Sequence, residues 1–308
     1  MAAKELIAQW LPPTPENYAT LLSIWQLFPL ITIAQWFITW YPIGKTSTPS
    51  RLNVNGRVGW VLGETPGIFV LLYTVYTLPT RMRSPYSDDP SVMMTFEQLP
   101  WANKTLAGLF CLHYINRGFV TPVFLNPSMA PGHVTMYIWM FIFNVINAVC
   151  IGSWLGGYGP KTWYGSYAYG DQFALARAEL GLMMWAVGFA GNIWHDDELR
   201  EIRRQAMKRK QAKKQDGTVE NKEAPERIYR IPRNGLFEVC LYPHYLLEWF
   251  EWAGFWLVGG WSFVPARIFL VNEVTTMLPR AVQGKKWYIE RFGKEKVGNR
   301  YAIIPGVI

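Results

Sequence analysis

Long apolar runs alternate with short polar connectors along most of this chain. About 20 apolar residues are enough to span a bilayer as a helix. Seven such runs stand near residues 20–43, 57–79, 105–125, 134–156, 173–196, 236–259 and 262–284. Gly, Pro or charge interrupts some of them, which a helix packed inside a bundle tolerates better than a lipid-facing one. No internal repeat and no alternating strand pattern competes. The pattern therefore predicts an all-α polytopic membrane protein, a seven-transmembrane-helix bundle forming one domain over residues 1–308. The first long run starts near Thr20 without a small-residue cleavage site and is expected to stay as an anchor. Residues 205–227 are charged, poor in aromatics and broken by Gly217 and Pro225, so they are predicted to form a disordered surface loop.

Composition supports the membrane reading. Half of the 308 residues are hydrophobic and only 17% are charged, against about 25% in soluble domains. Sixteen Trp and sixteen Tyr suit a chain with two water–lipid interfaces to populate. The net charge of +8 comes with no nucleic-acid-binding motif, so the basic residues read as topology signals. With a lumenal N-terminus, most Lys and Arg fall in cytosolic loops and the tail, placing residues 200–233 and the C-terminus in the cytosol. Cys111, Cys150 and Cys240 lie in apolar runs without CxxC spacing, so neither a disulfide framework nor a zinc site is expected. The four histidines show no metal-ligand spacing, and no GxGxxG or GxxxxGK[ST] loop occurs; no metal is expected.

The informative residues are the ionisable ones inside apolar sequence. In the stretch Tyr229–Trp252, His244, Glu248 and Glu251 stand at i, i+4 and i+7, on one helical face. A charge at the centre of a membrane helix costs roughly 2.5–3.5 kcal/mol, so that face should meet a cavity, a ligand or a partner charge. The run GNIWHDDELREIRR places Asn192, Asp196, Arg200 and Arg203 on a second stripe, with groups suited to ribose hydroxyls and phosphates. Arg203 alone would equally suit a snorkelling helix end. In LFCLHYINRGFV, His113, Tyr114, Asn116 and Arg117 interrupt a span. A phenol there can donate to a carbonyl in a dry pocket, or simply pack. Glu64 precedes a Thr-Pro break between Gly63 and Gly67. Held protonated it would be a hydrogen-bond donor; otherwise it satisfies backbone freed by Pro66. Asn103-Lys104-Thr105 matches a glycosylation sequon but lies too close to the third run for modification to be expected.

Taken together, LAGLFCLHYINRGFV, GNIWHDDELREIRR, YRIPRNGLFEVCLYPHYLLEWFEW and the tail WYIERFG…RYAIIPGVI resemble the steroid 5-alpha-reductase family, in register over roughly residues 57–308. The resemblance implies a seven-helix membrane bundle of the endoplasmic reticulum. Its implied activity is NADPH-dependent reduction of the carbon–carbon double bond of an enone lipid, typically a 3-oxo-Δ4 steroid. It assigns Glu64 and Tyr114 to the substrate carbonyl. It places Asn192, Asp196, Arg203, Tyr229, Glu248, Arg280 and Tyr288, with His244 in the place of an Asn, on the wall of the NADPH cavity. Gly63 stands where steroid-reducing relatives carry Gln, and Gly284 where they carry His. Pro243-His244-Tyr245 is closer to polyprenal- and enoyl-reducing branches, which keeps a polyprenal or a long-chain enoyl thioester as alternative substrates. Pro243, Tyr245 and Glu248 also match membrane methyltransferases that use S-adenosylmethionine, but the third-run and Asn192–Arg203 motifs do not. A non-catalytic lipid-binding protein is the remaining alternative.

Overall fold

The computed structural model describes residues 9–38, 41–161, 172–215 and 229–308. Helices start where the sequence offers caps and imino acids. Thr14 caps α1 (Pro15–Trp25), whose first residue is proline. A short helix α2 (Phe28–Thr32) follows it. Asn55 caps α3 (Gly56–Glu64) by accepting from the amides of Arg57 and Val58 at 3.0 and 3.3 Å. Pro66 then divides that helix from α4 (Pro66–Thr77), which leaves Glu64 at the break.

The next helix, α5 (Trp101–Tyr114), changes character just past Tyr114: from Ile115 to Leu125 it widens to i→i+5 hydrogen bonding around Pro122. Such widened turns cluster at functional sites. The remaining helices are α6 (Val134–Ser153), α7 (Gln172–Gln215), α8 (Pro243–Gly259), α9 (Val264–Phe292) and the short α10 (Lys294–Val297). Strand structure among the described residues is confined to one two-residue ladder pairing Asn53 with His133 and Val54 with Gly132, antiparallel. The all-α expectation holds.

Four of the described helices are long and apolar enough to cross a membrane, spanning Pro15–Trp36, Gly56–Thr77, Val134–Tyr158 and Phe173–Arg209. Helices also occupy the other three predicted runs, but α5, α8 and α9 fall short of that standard. They carry His113, Arg117, His244, Glu248, Glu251 and Glu273, ionisable residues set within these runs. Two predicted boundaries need correction. Residues 205–215, expected in a disordered loop, continue α7 as helix; the rest of that loop, through 227, lies outside the described residues. The run predicted from residue 236 begins its α-helix only at Pro243, after a tight turn at Gly235–Glu238.

The core joins α4, α5, α6, α8 and α9 through Leu71, Phe110, Tyr114, Ile151, Trp252 and Phe269. The α7–α8 contact is close because glycine faces backbone. A Cβ on Gly188 would lie 2.5 Å from the Glu251 amide nitrogen and 2.6 Å from the Leu247 carbonyl oxygen. The start of α8 is held by the C-terminal tail, as Leu241 and Tyr242 donate backbone hydrogen bonds to Tyr301 and Ala302, both at 3.0 Å. Outward-facing Phe37, Phe69, Phe124 and Phe173 are exposed, as lipid contact requires. Asn103 is buried and its amide donates to the carbonyls of Leu155 and Pro160, which takes the sequon out of reach.

Candidate functional site

The stripe His244–Glu248–Glu251 faces inward on α8, and all three residues are buried. Arg117, on the widened part of α5, sits between two of the chain's buried acids. Its Nε donates to Glu64 Oε1 at 3.3 Å and its Nη1 to Glu248 Oε2 at 3.1 Å. Glu248 Oε2 also accepts from Asn192 Nδ2 at 3.2 Å, and the same amide donates to the His244 carbonyl at 2.9 Å. A continuous line of polar contacts thus runs Glu64–Arg117–Glu248–Asn192 across α3, α5, α8 and α7. Asp196, one turn beyond Asn192, interacts electrostatically with both Arg117 and Glu248.

Glycine permits this convergence on the α3 side as well. A Cβ at Gly118 would approach Glu64 Cβ to 2.9 Å, so the α3 break and the widened α5 turn meet only because position 118 has no side chain. On the next turn of α5, His113 Nδ1 lies 2.7 Å from Glu251 Oε1, while its Nε2 is 3.8 Å from Glu248 Oε1. Tyr114 packs its ring on Phe110 and Trp252, at centroid distances of 4.5 and 6.1 Å. No described residue hydrogen-bonds its hydroxyl. Glu64 and Glu248 interact with it electrostatically.

Glu64 behaves differently from the expected proton-bearing donor. Arg117 donates to its Oε1, and Asn144 Nδ2 donates to its Oε2 at 3.2 Å and to the Gly63 carbonyl at 3.1 Å. Both oxygens accept.

The other candidates form an outer group toward the C-terminal ends of α7 and α9. Arg203 is exposed and interacts electrostatically with Tyr288. The Tyr229 ring stands 4.9 Å from Trp287 and Arg291 lies over it at 5.2 Å. Arg280 donates to the Tyr41 hydroxyl at 3.1 Å and covers its ring at 3.8 Å. Within the expected stripe on α7, Arg200 departs: it is buried and folds back on its own helix, donating to Asp197 at 3.0 Å and to the Ile193 carbonyl at 3.2 Å. The space beside Gly284 is already filled, because a Cβ there would lie 1.6 Å from the Tyr242 hydroxyl oxygen.

Sequence reading singled out Arg117, His113 and Glu251 but assigned them no role, and passed over Asn144, Tyr41 and Glu273. Asn144 and Glu273 did carry a signal, as polar residues set in the apolar runs FIFNVIN and FLVNEVTT, with Asn147 and Asn272 beside them.

The residues present fit a dinucleotide. A buried amide–carboxylate pair, Asn192 and Glu248, keeps Oδ1 and Oε1 as acceptors for an amide N–H of a polar ring edge, since both Asn192 N–H groups are already used, and the exposed basic end of α7 with two tyrosine rings suits phosphate and sugar.

Comparison with known proteins bears on the family. The model of the 3-oxo-5-alpha-steroid 4-dehydrogenase family matches residues 130–308. An uncharacterized protein of Schizosaccharomyces pombe is 34% identical over 270 residues, covering 86% of this chain and 90% of its own. A steroid 5-alpha-reductase of Solanum lycopersicum is 27% identical, covering 94% of this chain and 95% of its own. The 3-oxo-5-alpha-steroid 4-dehydrogenase 1 of Rattus norvegicus is 28% identical, covering 87% and 86%.

Proposed function

This chain belongs to the 3-oxo-5-alpha-steroid 4-dehydrogenase family of oxidoreductases acting on CH–CH groups, and from that premise we propose that it is an NADPH-dependent membrane reductase. Its substrate is a lipid carrying a carbon–carbon double bond conjugated to a carbonyl, with a 3-oxo-Δ4 steroid ahead of a polyprenal or an enoyl thioester. The relatives named for steroids support that order. The protein would lie in the endoplasmic reticulum membrane with its C-terminus cytosolic, the side from which NADPH arrives.

One observation carries the reading: the buried line Glu64–Arg117–Glu248–Asn192 joins the residues assigned to the substrate carbonyl with those assigned to the cofactor. Bound NADPH would supply hydride to the β-carbon. Tyr114 then donates to the carbonyl oxygen, where negative charge builds as the β-carbon is reduced. Glu64, pinned by Arg117 and Asn144, interacts electrostatically with that phenol and leaves its single proton free for the substrate. Asn192 and Glu248 would bind the polar edge of the nicotinamide, with Asp196, His244 and Arg280 lining the cavity and Tyr229 and Tyr288 enclosing its outer part. Arg203 would meet phosphate. The closely packed aromatic shell around Tyr114 excludes water, which strengthens its hydrogen bond in the transition state.

The test is direct. Purified protein in detergent is incubated with NADPH and each of the three substrate classes, and reduced products are identified by mass. Tyr114→Phe should lower kcat about 100- to 1,000-fold while NADPH binding persists. Wild-type turnover in that variant would remove Tyr114 from the mechanism. Methyl transfer from labelled S-adenosylmethionine in place of NADPH oxidation would replace the reading altogether.

A further inference from the structure

Four carboxyl groups gather around Tyr114 and Arg117, and three of them have partners. Glu64 accepts from Arg117 and Asn144, Glu248 from Arg117 and Asn192, and Glu251 is paired with His113. The fourth, Glu273 on α9, has neither a hydrogen bond nor an ion pair among the described residues, and its Oε2 is sealed from solvent. It interacts electrostatically with Glu64, Glu248, Glu251 and Arg117, and Tyr114 with it.

Glu273 as a whole is half-buried, but a carboxylate with one oxygen sealed from water and no counter-ion is costly, and three neighbouring acids make it more so. The Arg117 guanidinium already serves Glu64 and Glu248, and no other ion pair reaches Glu273 among the described residues. Glu273 is thus the member of the cluster with a proton to give. Its position is also rigid. The adjacent Asn272 donates to the Trp25 carbonyl at 3.3 Å, tying this turn of α9 to α1. Seven residues separate it from Arg280, roughly 10 Å along the helix, so it lies toward the Tyr114 end of the site and away from the phosphate end.

We propose that Glu273 is the general acid of the reduction, supplying the proton that the α-carbon takes. This rests on the reductase reading above. After hydride has reached the β-carbon, the enolate electron pair forms the new bond from the α-carbon to hydrogen as the O–H bond of Glu273 breaks. The carbonyl re-forms, and the Glu273 carboxylate is left facing Arg117 until water returns its proton. Tyr114 and Glu273 divide the work, the first serving the oxygen and the second the α-carbon.

Glu273→Gln keeps the size of the side chain and removes the transferable proton. Its kcat should fall about 100-fold or more, while its Kd for NADPH stays close to that of the wild type. Glu273→Asp, which keeps a proton on a shorter arm, should recover part of the loss. Infrared difference spectra between wild type and E273Q give a readout free of turnover: a protonated-carboxyl band present in the first and missing from the second. Wild-type kcat in E273Q, or no such band, overturns the assignment. If E273Q fails to bind NADPH, Glu273→Thr provides a second acid-free variant for both readouts. Wild-type protein that never oxidises NADPH with any enone would sink the reductase reading instead, and the infrared band would still decide where the proton resides.

Discussion

Arg117→Met tests the line of contacts on which the site is built. The substitution keeps most of the stem and removes the guanidinium that bridges Glu64 at 3.3 Å and Glu248 at 3.1 Å. The two carboxylates are 6% and 2% exposed and the arginine side chain 23%. Removing one partner from a buried ion pair costs about 3–5 kcal/mol, because a charge stays behind without compensation. The partial exposure of Arg117 favours the lower figure, about 3 kcal/mol. At about 2 °C per kcal/mol for a chain of this size, Tm should fall by about 6 °C in a fixed detergent. The sixteen tryptophans make intrinsic fluorescence a sufficient probe. The control is the triple variant R117M/E64Q/E248Q, in which no charge is stranded. It should regain most of the loss, since neutralising both acids removes the penalty that the single substitution exposes. Equal melting of R117M and wild type would refute the reasoning, as would a triple variant less stable than the single one.

Other outcomes follow from packing. Gly188→Val should separate α7 from α8, since its Cβ would meet Glu251 and Leu247 backbone at 2.5 and 2.6 Å. The expected result is lower Tm together with weaker NADPH binding, read by fluorescence quenching, because the Asn192–Glu248 bond spans that contact. Gly284→Ala should cost about 1–3 kcal/mol by overpacking against the Tyr242 hydroxyl. Tyr242→Phe in the same chain removes the nearest clashing atom and should recover part of the lost Tm if the clash is the cause.

The sequence was most legible where physics leaves little choice. Ionisable residues within apolar runs have to face inward, and His244, Glu248, Glu251, His113 and Glu64 all do. The Thr-Pro break at Pro66 likewise marks a helix end that the structure shows, whereas the helix start at Pro243 was expected seven residues too early. Pairing was not legible, because it depends on which helices touch. Arg117 and Glu248 lie 131 residues apart in sequence, and nothing local announces that they meet. Arg200 shows the complementary error. Helical periodicity puts it on the stripe with Asn192, yet a long side chain can reach back to Asp197 and the Ile193 carbonyl and leave that stripe. The end of α7 was misjudged for a third reason. Residues 205–215 are mostly polar but rich in Lys, Gln and Ala, which favour helix, and an existing helix needs no new nucleus to continue through them.

The balance of charge around Tyr114 narrows the substrate further. Glu64, Glu248, Glu251 and Glu273 gather around Tyr114 and Arg117, with Asp196 near, and among the described residues Arg117 bridges two of them, Glu64 and Glu248. Such an acid-rich interior repels a second anion, and in a site sealed from water salt screens that repulsion poorly. A lipid whose polar end is a neutral ketone, aldehyde or thioester avoids the penalty; one ending in a free carboxylate beside the double bond does not. Matched α,β-unsaturated lipids, one ending in a methyl ester and one in the free acid, therefore should differ in Kd by at least about tenfold in favour of the ester, the equivalent of 1.4 kcal/mol. The gap should persist at high salt. Equal affinities, or a difference that vanishes as salt is raised, would mean that the carboxyl cluster faces away from the bound lipid and that the catalytic assignment of Tyr114 needs a different pocket.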